Sequence, residues 1–197
     1  MKSMLLAIRL KYFYLTYKGI KKIEVRKSAP KKFAGYVYEY VSKANFDKDL
    51  MEIPENEREF FKQFKGKIGL KFKLSGWNTD GIWMTTCGKW TYGGDFYPNL
   101  SRDSCLSDIE LDKYFKPTKC GFSHPYGYAY HIEGLVIFDK PKELSEFRKT
   151  STLSLKQLRE FGLPYDEKTY KEMATKGKWF ITKAPQSYCF IESEDNL

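Results

Sequence analysis

The sequence predicts an α+β domain in which a small mixed β-barrel is flanked by short helices and interrupted by insertions. Three observations lead there. Six or more segments carry strand patterning, against a few short stretches with helical spacing. Aromatic residues are 17% of the 197, with 15 Tyr and 15 Phe, an excess that suits sheet faces. Hydrophobic residues reach 42%, enough for a buried core and too many for a disordered chain.

The elements follow in order. "MLLAI" (Met4–Ile8) reads as a short buried strand. In "RLKYFYLTYK" (Arg9–Lys18), Leu10, Phe13, Tyr14 and Tyr17 recur at helical spacing. Gly19 then takes the left-handed position that stops a helix, and Lys18 suits its negative end. "KIEVRK" (Lys22–Lys27) alternates: Ile23 and Val25 face one way, Lys22, Glu24 and Arg26 the other. "GYVYEYVS" (Gly35–Ser42) alternates Tyr36, Tyr38 and Tyr40 against Val37, Glu39 and Val41. "ENEREFFKQF" (Glu55–Phe64) is helical, and Lys67–Trp77 is a strand with Ile68, Leu70, Phe72 and Leu74 on one face. Residues 76–104, rich in Gly, Trp, Asn and Thr, read as a long loop or small insertion. Ser107 and Glu110 form the capping box of a helix that Pro117 ends.

Gly127–Lys140 reads as one or two strands stopped by Pro141. Residues 154–176 hold two short amphipathic helices, and Lys178–Thr182 with Ser187–Ser193 read as a terminal hairpin. No repeat or low-complexity linker is present. A single domain over residues 1–197 is expected, with insertions at 43–64, 76–123 and 150–176.

Charge is concentrated at one end. Residues 1–32 hold ten basic residues and one acid, the whole of the net +9, while residues 33–197 carry 24 of each sign. Such a field favours a polyanion, and the other reading is a lysine-rich solvated face. No apolar run approaches the roughly 18 residues of a membrane helix. Arg9 and Lys11 follow Met4–Ile8 at once, which leaves no signal-peptide core. The expectation is a soluble, cytoplasmic protein with no membrane partner. Cys87, Cys105, Cys120 and Cys189 form no C-x-x-C pair and read as thiols. Cys120 and His124 have C-x3-H spacing, which leaves a zinc staple open, but no standard pattern is matched and no metal or other cofactor is expected.

No phosphate-binding loop, G-x-G-x-x-G, H-E-x-x-H or G-x-S-x-G occurs. The two histidines, His124 and His131, lack a supporting catalytic pattern. The stretch "KGIKKIEVRK" (Lys18–Lys27) carries more. Glu24 inside a cavity requires cationic partners, which Lys21 and Arg26 can supply. Such a trio can bind a polar base edge, since Glu accepts from an exocyclic amine and Arg and Lys donate to carbonyls or phosphates. It can also do chemistry if Lys21 is a desolvated base. Spacing alone favours the other reading, a solvated strand face with a weak Glu24–Arg26 surface pair.

The opening resembles that of ASCH domains of the PUA-like superfamily, whose hallmark G-x-K-x-x-E-x-R is matched by Gly19, Lys21, Glu24 and Arg26. "YGYAYHIEGLVIFDKPKELSEF" (Tyr126–Phe147) is similar to the family's aromatic strand and following Pro-rich turn. "APQSYCFIE" (Ala184–Glu192) is similar to the closing strand of bacterial and phage-type members, with Tyr188 in place of Trp. The resemblance implies a PUA-type barrel whose cleft is lined by Lys21, Glu24 and Arg26, and a role in nucleic-acid binding, RNA ahead of DNA. Tyr12, Tyr130, His131 and Gln186 are further ligand candidates, and Lys11, Lys18, Lys27, Lys31 and Lys32 are candidates for phosphate. The alternative is a hydrolase on a modified nucleoside, or a ribonuclease, with Lys21 and Glu24 catalytic. In the family's amidohydrolases a Lys activates a Thr nucleophile; Lys21 matches the Lys, but Glu24 stands where the Thr would be.

Overall fold

The protein is described from a computed structural model over residues 2–30, 33–74, 79–85, 88–93, 99–117, 125–147, 181, 183–186 and 188–192. The chain divides into two compact units. One contains Met1–Leu10, Gly35–Lys71 and Ile137–Leu197; the other contains Lys11–Ala34 and Phe72–Val136.

The elements are β1 (Lys2–Ile8), α1 (Leu10–Tyr17), β2 (Ile23–Arg26), β3 (Gly35–Val41), α2 (Phe46–Met51), α3 (Glu55–Lys62), β4 (Ile68–Leu74), β5 (Thr79–Met84), β6 (Trp90–Tyr92), α4 (Leu100–Ser104), α5 (Asp108–Phe115), β7 (Gly127–His131), β8 (Glu133–Lys142), a 3-10 turn (Leu144–Glu146) and β9 (Tyr188–Glu192). The class is mixed α+β, as the patterning predicts. One sheet has the order β8-β4-β3-β1-β9, the other β2-β7-β5-β6.

In the first unit β1 and β3 are parallel, with Leu5 opposite Tyr38 and Leu6 opposite Glu39. Parallel strands need a crossover rather than a hairpin, and α1 and β2 lie in that connection. β9 runs antiparallel on the other side of β1, with Leu5 opposite Cys189. Alternation sorts the side chains as expected: Leu5, Tyr38 and Tyr40 join Ile68, Phe147, Ile181 and Ile191 in one core. Each fully buried side chain of this size contributes about 1.5–3 kcal/mol. Arg9 pairs with Asp49, whose side chain is wholly buried, through both of its carboxylate oxygens.

In the second unit Gly19 has φ +67°, the left-handed stop expected for α1. Its N–H donates to Thr16, and the N–H of Ile20 to Leu15, so the carbonyls at the end of the helix find partners. The capping box of Ser107 and Glu110 is present at the start of α5. β2 pairs antiparallel with β7, which pairs with β5. The core of this unit gathers Ile23, Val25, Ile82, Trp90, Tyr92, Leu100, Leu111 and Ala129.

Three expectations change. Residues 76–104 are not simply a loop: β5, β6 and α4 lie there and supply Ile82, Trp90, Tyr92 and Leu100 to the core. Their patterning is hard to see because β6 has three residues and β5 carries Gly81 at its centre. A side chain there would meet Trp83 Nε1 at 3.0 Å and Pro125 Cβ at 3.2 Å. α2 precedes the expected helix of residues 55–64 as a separate element. Pro141 does not stop its strand, because β8 ends the order of its sheet and an edge position tolerates a missing N–H. The helices expected over residues 154–176 lie outside the described residues, as do Lys178–Phe180 and Thr182.

Candidate functional site

β2 is four residues long, and its two faces have opposite chemistry. Ile23 and Val25 enter the core, while Glu24 and Arg26 lie on the other face with Lys21 just before the strand. Glu24 Oε2 is 3.0 Å from Lys21 Nζ, and Glu24 Oε1 is 2.7 Å from Arg26 Nη2. The side chains are 2% exposed for Lys21, 7% for Glu24 and 12% for Arg26. A solvated strand face is therefore excluded for this trio. Gly127 opens β7 beneath it: a Cβ there would come within 2.6 Å of the Arg26 carbonyl and closer still to the Phe115 ring.

The Lys21 ammonium has two further acceptors, the carbonyls of Ile23 and of Ser104 at 3.2 Å. With Glu24 these occupy its three N–H donors. Ser104, at the end of α4, is itself buried and donates its hydroxyl to the Leu100 carbonyl. Burial alone pushes the Glu24 carboxyl up. The charges and hydrogen bonds of Lys21 and Arg26 outweigh it and hold the group below its ordinary value.

Tyr12 is brought beside the trio. Its ring centroid is 5.8 Å from Lys21 Nζ, and its hydroxyl donates to Glu110 Oε1 at 3.1 Å. Lys11 Nζ donates to the same oxygen at 3.0 Å, so this candidate phosphate contact is engaged in an ion pair. Burial pushes the Tyr12 phenol up. Burial also raises Glu110, but the Ser107 N–H and Lys11 prevail and bring it down to about 2. Tyr130 is opposite Glu24 across the β2–β7 ladder; it is fully buried and donates to the Ser28 carbonyl at 2.6 Å.

His131 is not with the trio. It is opposite Ile23, on the other face of β7 from Tyr130, because neighbouring residues of a strand alternate. There its Nε2 is 2.7 Å from Asp80 Oδ2, and its ring meets the edge of Tyr92 with centroids 5.6 Å apart. Tyr92 donates to Asp103 at 2.8 Å, and burial with that hydrogen bond pushes its phenol up to about 12. Gln186 is exposed and belongs to the first unit. Lys18 and Lys27 are exposed, as is Lys22, whose ammonium donates to the Gly19 carbonyl. Lys31 and Lys32 lie outside the described residues.

Two contributors have no local signal in sequence. The Ser104 carbonyl reaches Lys21 across 83 residues. Tyr114 on α5, 37% exposed, has Lys27 Nζ 5.0 Å from its ring centroid and feels the charges of Arg26 and Glu24. Burial pushes its phenol up. Among the described residues no three His, Cys, Asp or Glu side chains are grouped to hold a metal ion. Cys105 and Cys189 are free thiols; Cys87, Cys120 and His124 are outside the described residues. No described helix is long and apolar enough to cross a membrane.

The chain is similar to an ASCH domain of known structure. The crystal structure of ASCH from Zymomonas mobilis shares 13% identity with it, covering 98% of this chain and 90% of that one, with a TM-score of 0.44. No protein-family model matches the chain, and no curated protein matches it at a significant level.

Proposed function

We propose that this protein binds nucleic acid, RNA ahead of DNA, through β2 and the residues that flank it. The observation that carries the reading is a buried carboxylate, Glu24, bridging Lys21 and Arg26 next to the exposed cations Lys22 and Lys27. A charged Glu24 fixes the direction of the Arg26 guanidinium, a group that suits recognition of a polar base edge. Lys18, Lys22 and Lys27 supply phosphate contacts in this reading, and the exposed ring of Tyr114 beside Lys27 supplies a stacking surface. The G-x-K-x-x-E-x-R resemblance and the concentration of charge in residues 1–32 support the same role.

The alternative, a hydrolase or ribonuclease that uses Lys21, needs a free lone pair on its nitrogen. The three acceptors around Nζ suit a protonated ammonium and count against that role.

Fluorescence anisotropy with short single-stranded RNA and DNA of matched sequence tests the proposal at two salt concentrations. RNA should bind more tightly at low salt, and its affinity should fall as salt rises. The Lys18→Glu/Lys27→Glu pair should lower the steepness of that dependence by roughly two ionic contacts. Tyr114→Ala should cost about 1–3 kcal/mol of binding. Absence of binding at low salt, or binding indifferent to the charge reversals, overturns the reading.

A further inference from the structure

A cavity of about 570 Å³ lies within the first unit, at the end of β3. Its walls include Tyr40, Ser42, Lys43, Glu143, Ile181 and Lys183. That volume is in the range of small-molecule sites. We propose that it binds a small phosphomonoester of mononucleotide size, with the phosphate held between Lys43 and Lys183.

The charges of the wall point to this class. Glu143, its one carboxylate, is bound to Lys67 at 3.0 Å. The lining itself sums to one positive charge, and because Lys67 from outside it offsets Glu143, the two ammonium groups of Lys43 and Lys183 are left without a carboxylate partner among the described residues. Two ammonium groups match a dianionic phosphate better than a single carboxylate. Lys43 is placed by packing rather than by an ion pair. Its stem lies over Gly66, which has φ +75° and leads into β4; a Cβ at Gly66 would fall 2.3 Å from Lys43 Cε. That turn is tied to β3 by hydrogen bonds from the Gly66 N–H to the Val41 carbonyl and from the Val41 N–H to the Lys67 carbonyl.

The rest of the wall suits the nucleoside part. Ser42 Oγ accepts from the Ala44 N–H, which leaves its own proton to donate. Burial, and secondarily Glu143, push the Tyr40 phenol up, and a neutral phenol can donate. Glu143 can accept from a ribose hydroxyl, and Ile181 gives an apolar contact for a base.

The test is a titration of the ¹⁵N-labelled full chain with 5′-AMP, adenosine and inorganic phosphate, followed by amide shifts. 5′-AMP should give saturable shifts at Ser42, Lys43, Gly66 and Lys183, with adenosine and phosphate each about tenfold weaker or more. Lys43→Glu and Lys183→Glu should each weaken 5′-AMP by about tenfold. The neutral pair Lys43→Gln/Lys183→Gln should do so as well, which keeps the test valid if a charge reversal disturbs folding. Three results would each overturn the proposal: no saturable shift at millimolar 5′-AMP, phosphate binding as well as 5′-AMP, or undiminished binding in the variants.

Discussion

Glu24 on β2 and Glu110 on α5 are both carboxylates held below their ordinary value, but Glu24 has a side chain 7% exposed and Glu110 one 40% exposed. Glu110 is served by a local device, the Ser107 capping box, with Lys11 and Tyr12 added from α1. Glu24 is held instead by two side chains, Lys21 and Arg26. Where water is excluded, losing one charge leaves others uncompensated; at a half-open site, solvent takes over much of the lost interaction. The same residue type therefore carries different consequences in the two places.

Three substitution and titration experiments would break or sharpen this contrast. The largest effect is expected from Glu24→Gln, which leaves two cations in a buried site and should destabilise the fold by about 3–5 kcal/mol in urea unfolding. Replacing Lys21, Glu24 and Arg26 together by Met should cost less than the single change, because no buried charge is then left alone. A triple variant less stable than Glu24→Gln would show that hydrogen bonds, not charge compensation, dominate the site.

A smaller loss is expected at the exposed carboxylate. Ser107→Ala and Glu110→Ala each remove one arm of the capping box and should each cost about 1 kcal/mol. Thermal unfolding of the two variants and their double mutant checks this, and strict additivity would mean that the reciprocal cap is not a unit.

The smallest effect concerns pH and salt. Both carboxylates have depressed folded values, so their contributions are fully present above the ordinary value of 4.5 and are lost as pH falls through the folded values. For Glu110 the loss runs down to about pH 2. Solvent screening at its exposed site limits it to no more than about 1 kcal/mol. Raising the salt concentration should shrink the Glu110 part and leave the Glu24 part nearly unchanged, as measured by urea unfolding across the acid range in wild type and Glu110→Gln.

Much of the fold near the site is legible in local pattern. The two faces of β2, the Tyr and Val faces of β3, the stop at Gly19 and the Ser107–Glu110 cap all depend on residues a few positions apart. β5 and β6 are not legible, since a three-residue strand and one broken by Gly81 offer no period to recognise. Among the candidate ligand residues, the motif places Lys21, Glu24 and Arg26 together, and Tyr12 joins them. His131 is separated from Tyr130 by the pleat and finds Asp80, which was no part of the predicted set. Lys11, a candidate phosphate contact, pairs with Glu110, 99 residues away, a partner that local pattern does not reveal.

The sequence by itself determined which residues of β2 share a face, where α1 stops and where α5 starts, because those features follow from backbone geometry over one or two turns. Tertiary structure alone decided that the Lys21–Glu24–Arg26 face is buried. The Ser104 carbonyl that completes Lys21, the Phe115 ring against Gly127 and the Tyr114 ring beside Lys27 come from α4 and α5, far along the chain. A charge pattern is the same string of residues in water or in the interior, and its energetics depend on what other segments exclude from it.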